Sequence, residues 1–126
     1  MGITLQTAVR NASCDAEVDL IDVGAGANGT LVLRQSTTTI ATFNLNAPAF
    51  GSASSGTATA AGFPKTVAAS ATGVPDNYQV KDKDGTLLWS GTVAEGSGGD
   101  LNLDNTDINS GQNVTISSFT HTVPAS

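Results

Sequence analysis

Charge is scarce in this chain: Asp, Glu, Lys and Arg make up 13% of its 126 residues, against roughly 25% in ordinary soluble domains. Solubility therefore rests on neutral polar groups, chiefly Thr, Ser, Asn and Gly. Basic residues are the scarcest charged class, 5 against 11 acidic ones for a net charge of −6. That balance argues against nucleic acid as a partner, because affinity for a phosphate backbone comes from clustered Lys and Arg. A single cysteine, Cys14, excludes an intrachain disulfide and a cysteine-rich zinc site, and reads as a small buried hydrophobe. A single histidine, His121, excludes a multi-histidine metal centre. Apolar runs are short, with no 18 consecutive apolar residues to cross a membrane as a helix. The N-terminal stretch lacks the basic start and apolar core of a secretory signal, so synthesis in the cytoplasm is expected.

What is present fits one domain, residues 1–126, since a chain of this length buries a single core. The only helical periodicity lies at about residues 4–22, where Leu5, Ala8, Val9, Ala12, Ala16 and Leu20 recur at three- and four-residue spacing behind Thr4 as N-cap. Gly24, Gly26 and Gly29 then stop the helix. This Gly-rich loop follows a helix, whereas phosphate loops lead into one, so no nucleotide role is expected. Everything after residue 29 reads as short strands at 30–35, 38–46, 55–62, 65–71, 77–82, 86–93, 100–103 and 113–123. Leu31 with Leu33, Phe43 with Leu45 and Tyr78 with Val80 alternate as one buried face requires. In the last stretch Val114 and Ile116 share one face while Phe119, His121 and Val123 share the other, so a bulge or change of sheet is expected near Ser117 and Ser118. The expectation is a mainly β, antiparallel β-sandwich with one N-terminal helix.

Candidate chemistry is thin. Asp100, Asn102 and Asp104 alternate as in a calcium loop, but Asn105 stands where the sharp turn needs Gly and Gly111 where a bidentate Glu belongs. The simpler reading turns Leu101 and Leu103 inward and the polar residues to water, leaving weak calcium binding by Asp100, Asp104 or Asp107 as the alternative. His121 has no nucleophile signature around it, and Glu17 and Glu95 do not suggest a glycosidase pair, so no enzyme motif and no cofactor are expected. Four Phe, Tyr78 and Trp89 are a meagre supply for a sugar-binding platform, and Trp89 in LLW is expected in the core or a subunit seam. The charged DKDG at 82–85 reads as a hairpin turn, with positive backbone angles at Asp84 and Gly85. The uncharged segment 46–62 reads as a surface loop with Phe50 exposed and available to a partner.

The order of blocks LQTAVRNA, a glycine-rich stop before TLVL, NAPAF before GTATA, YQVKDKDGTLLWSGTV, and GDLNLDNTDINSGQNVTISSFTHTVPAS resembles small structural proteins of tailed bacteriophages and prophages, the capsid decoration or cement type. The likeness covers nearly the whole chain and departs after the first strand, where RQSTTTIATF is shorter than the family's loop. It implies a jelly-roll or immunoglobulin-like sandwich on the exterior of the virion's head, bound to the major capsid protein and stabilising the assembled shell. It also implies self-association as a homotrimer, with no nucleic acid, no membrane and no cofactor. A tail or fibre component and an adhesive carbohydrate-binding module are the alternatives. The expected partner contacts are Leu5 and Val9 on the helix, Phe50 in the loop, and Phe119, His121 and Val123 in the last strand.

Overall fold

The computed structural model describes residues 6–96 and 98–123. Helix α1, Thr7–Asp19, runs into a 3-10 turn, Leu20–Asp22, before the first strand. Nine strands follow: β1 Thr30–Gln35, β2 Thr38–Asn44, β3 Thr57–Thr59, β4 Lys65–Ala68, β5 Asn77–Lys81, β6 Leu87–Glu95, β7 Leu101–Leu103, β8 Asn113–Ile116 and β9 Thr120–Thr122. Each stretch read as a strand from the sequence holds one, the last holds two, and β6 runs on to Glu95, past the expected end at 93. Five strands form one sheet in the order β2-β1-β5-β6-β7, while β3 pairs with β9 and β4 with β8. The result is a mainly β, sandwich-like arrangement. The expected switch at Ser117 and Ser118 separates β8, which pairs with β4, from β9, which pairs with β3.

Alternation places Leu31, Leu33, Phe43, Tyr78 and Val80 on the inner face of the large sheet, all buried. Phe119 meets them from β9's side of the core. Its ring is 5.3 Å from Tyr78, edge-on, and 5.7 Å from Phe50, the tilted geometries that the ring quadrupole favours. In β7, Leu101 and Leu103 point inward and Asn102 outward, as the simpler reading of DLNL requires. In the β1–β2 pair Leu33 faces Ala41 but Arg34 faces Thr39, a bulge that leaves Ile40 unpaired, and two further features depart from a regular antiparallel ladder. The β6–β7 pair is parallel, Val93 opposite Leu101, and is joined by a short glycine-rich loop.

The second of these features is a bulge in β6, where Val80 faces Trp89 but Lys81 faces Leu87, leaving Leu88 unpaired. This changes the reading of LLW. Strict alternation groups Leu87 with Trp89, whereas the bulge turns both Leu88 and Trp89 toward the core and leaves Leu87 49% exposed.

The DKDG segment is a turn, but a differently built one. Among the two residues expected at positive φ, Gly85 alone has it, at 86°. Gly85 N–H donates to the Asp82 carbonyl, and the Asp82 carboxylate accepts from the N–H groups of Asp84 and Thr86. Asp at the first position and Gly at the fourth are the preferences of a type I turn, which needs no positive angle at its centre. Asp84 is thereby free to reach across and accept from Ala25 N–H at 3.0 Å, while Lys83 N–H donates to Val23 carbonyl. Gly26 lies against the Lys83 carbonyl so closely that any Cβ would collide with it. The charged turn and the glycine stop after the helix are thus two halves of one contact.

Phe119 is 1% exposed and touches rings from two other elements. Phe119→Ala is expected to cost about 3–5 kcal/mol, read from urea unfolding; a loss below about 1 kcal/mol would remove Phe119 from the centre of the core.

Candidate functional site

Helix α1 has three longitudinal zones inside and one outside. The innermost zone of α1 and the 3-10 turn that continues it is apolar: Cys14, Val18 and Ile21 are 0%, 2% and 0% exposed. One flank carries acceptors at Asn11, Asp15 and Asp22. Asn11 accepts from Gly56 N–H at 2.8 Å, Asp15 from Ala53 N–H at 2.7 Å, and Asp22 from Ala49 N–H at 3.1 Å. Between Ala49 and Gly56 the backbone N–H groups need acceptors, and the helix with its 3-10 turn supplies three in order along one edge. The other flank grips β9. Arg10 Nε donates to the Val123 carbonyl at 3.0 Å, and Glu17 Oε1 lies 2.7 Å from His121 Nε2. Cys14 Sγ lies 3.3 Å from the His121 carbonyl, and burial pushes its thiol pKa up, away from the thiolate a nucleophile needs.

With its inner and flanking zones engaged, α1 turns Ala8, Val9, Ala12, Ala16 and Leu20 to the surface. Val9 is 52% and Leu20 49% exposed. The periodicity expected to face the core is therefore the outward face. The physical reason is that alanine buries little area, whereas Cys14, Val18 and Ile21 form an equally regular stripe with more to gain from burial. Leu5 and the Thr4 cap lie outside the described residues; Gln6 is the N-cap, and its side chain makes no capping bond.

The other expected contact residues divide differently. Phe50 is 6% exposed, not offered by a free loop, because the Asp15 and Asp22 bonds draw its segment in and Phe119 covers its ring. Phe119 and Val123 are buried as well. His121 is half-buried, its ring 4.3 Å from Trp89 and tilted by 30°, so it joins helix, β9 and β6 at one seam. Trp89 Nε1 is buried without a hydrogen-bond partner, and burial holds the Tyr78 phenol's pKa above its usual value. Trp89 thus serves the rim of the core and does not stand out as a flat platform.

Around the acidic segment, Asp100 accepts from Thr92 N–H at 3.0 Å, and Asn102 accepts from Gly99 N–H. Among the described residues no three His, Cys, Asp or Glu side chains converge as a metal site. Two open depressions beside Ile108, about 180 and 170 Å³, lie near Asp104 and Asp107, below the roughly 300 Å³ at which ligand pockets begin. Sequence reasoning had no local signal for the α1 acceptors, whose partners lie 27 to 45 residues away. Comparison with known families, curated proteins and solved structures finds no match to this chain.

Partial burial alone would raise the Glu17 pKa, but hydrogen bonds from His121 and Ser13, with the His121 charge, overcome it and lower the value. A lowered folded pKa means that the stabilisation is complete above the ordinary Glu range, about pH 4.3, and is lost as pH falls through the folded value. Melting curves of the wild-type chain and Glu17→Gln are expected to differ by a gap at about pH 5 that narrows on further acidification. A gap unchanged down to pH 3 would contradict the pairing.

Proposed function

We propose that this chain is a decoration protein of a tailed-phage head, binding the exterior of the assembled shell where major capsid subunits meet. The observation that carries the proposal is the uncharged outward face of α1 on a small β domain whose core is complete without it: a surface suited to being covered. The resemblance of the block order to phage decoration proteins is what supports reading a head shell as the surface that covers it. Binding to the assembled shell and not to dispersed subunits stabilises assembly by linkage. A homotrimer would multiply the effect, since three weak contacts held together act with high effective concentration. The net charge of −6 suits a place outside the shell, away from packaged DNA.

A tail or fibre component would use the same kind of domain at far lower copy number. Quantitative mass spectrometry of purified virions separates the two. The decoration reading expects copies on the scale of the major capsid protein, and a few to tens of copies per particle would sink it.

A further inference from the structure

We infer that the folded chain is closed to proteases that read Lys or Arg, so that an enzyme of this class cuts it only after global unfolding. The inference is independent of the decoration reading and rests on where the 5 basic residues lie. A trypsin-type protease takes the basic side chain before the scissile bond into its specificity pocket, and its serine attacks that residue's carbonyl. The residue must therefore stand in a stretch that can leave its own contacts, which is why nicking concentrates at loop tips.

Four of these residues lie inside regular elements. Arg10 is in α1, where its N–H donates to the Gln6 carbonyl and its Nε to the Val123 carbonyl. Arg34 in β1 stands between Thr39 of β2 and Asn77 of β5, and its carbonyl, the group a protease attacks, accepts from Asp76 N–H at 2.9 Å. Lys81 in β5 lies opposite Thr30 on one side and Leu87 on the other. Lys65 opens β4 opposite Ile116, and its Nζ donates to Asn46 Oδ1 at 2.7 Å beside the Phe63 ring. Lys83 alone sits in a turn, and the turn is fastened. Its N–H donates to the Val23 carbonyl, the following N–H of Asp84 donates to the Asp82 carboxylate, and its own carbonyl packs against Gly26.

The longer connecting stretches lack basic residues altogether. Segments 20–29, 45–56, 69–76 and 104–112 contain no Lys or Arg, although Ala27, Ser52, Ser54, Asn109 and Ser110 within them are exposed. They do carry Asp22, Asp76, Asp104 and Asp107, so it is positive charge that is missing and not charge in general. A cut at any of the five basic residues thus requires a helix, a ladder or a fastened turn to open. When opening and closing are fast relative to cleavage, the rate follows the population of the open form, and for the central strands that form is the globally unfolded chain.

The test is trypsin digestion of the full chain at graded urea concentrations, normalised to cleavage of a short peptide in the same solutions. Mass spectrometry times and places the first cut, and circular dichroism gives the unfolded fraction. The wild-type rate is expected to rise in proportion to that fraction. Ile116→Val, at a fully buried position, should raise rate and fraction together by about two- to tenfold. Ala27→Lys and Ser110→Lys place a basic residue in exposed connecting stretches and should be cut there at least about tenfold faster than their own unfolded fractions allow. Thr42→Lys, at an exposed position inside β2, should add no such cut. A wild-type first cut, after Lys83 or elsewhere, that runs about tenfold or more ahead of the unfolded fraction overturns the inference. So does wild-type resistance in both loop variants, which would make something other than the placement of Lys and Arg responsible. A cut at position 42 as fast as those at 27 and 110 overturns it as well, since strands would then give no protection.

Discussion

The hydrogen bonds from loop N–H groups to side-chain oxygens of α1 are the constraint on which the rest of the structure turns. Segment 46–62 buries Ala49, Phe50, Ala58 and Ala60, and the backbone between Ala49 and Gly56 also needs acceptors for its N–H groups. Asn11, Asp15 and Asp22 hold its backbone against the helix at three points. Holding the segment there brings Phe50 into the core against Phe119. It also fixes the roll of the helix, because the acceptor flank must face the loop and the Arg10 and Glu17 flank must face β9. With both flanks committed, Cys14 and Val18 go inward and Val9, Ala12 and Ala16 go outward. The exposed apolar face follows from polar bonding elsewhere on the same helix.

The same device recurs around the molecule. At least seven of the eleven acidic residues accept a hydrogen bond from a backbone N–H: Asp15, Asp22, Asp76, Asp82, Asp84, Glu95 and Asp100. Short strands leave long stretches of backbone outside the ladders, and those N–H groups need acceptors. The low content of basic residues is consistent with this use. A carboxylate engaged by peptide N–H groups needs no cationic partner, so the negative charge that looked like a surface property also serves as loop fastening.

These relations explain how far the sequence was legible. Strand positions came through because β-branched runs and glycine breaks are local, and the switch between β8 and β9 was visible in the change of apolar phase at Ser117 and Ser118. The inward leucines of β7 were likewise readable from alternation. The roll of the helix was not, since two apolar stripes of similar regularity exist and the choice between them depends on acceptors whose partners lie far along the chain. The burial of Phe50 depended on those same bonds. The bulge at Leu88 and the parallel pairing of β7 are set by how strands meet, which periodicity within one strand does not encode. In DKDG the turn was legible and its chemistry was not: the Asp82 carboxylate organises it, and Asp84 serves a loop 59 residues away.

Amide hydrogen exchange in Asp15→Ala tests the central dependence most directly. If the acceptors of α1 hold the 49–56 segment, the amides of Ala49, Ala53 and Gly56 should exchange at least about tenfold faster than in wild type, the loss of roughly one such bond. The amides of Leu31, Leu33 and Val80 in the large sheet should stay protected. Unchanged protection at Ala53 and Gly56, or equal loss across the large sheet, would contradict it.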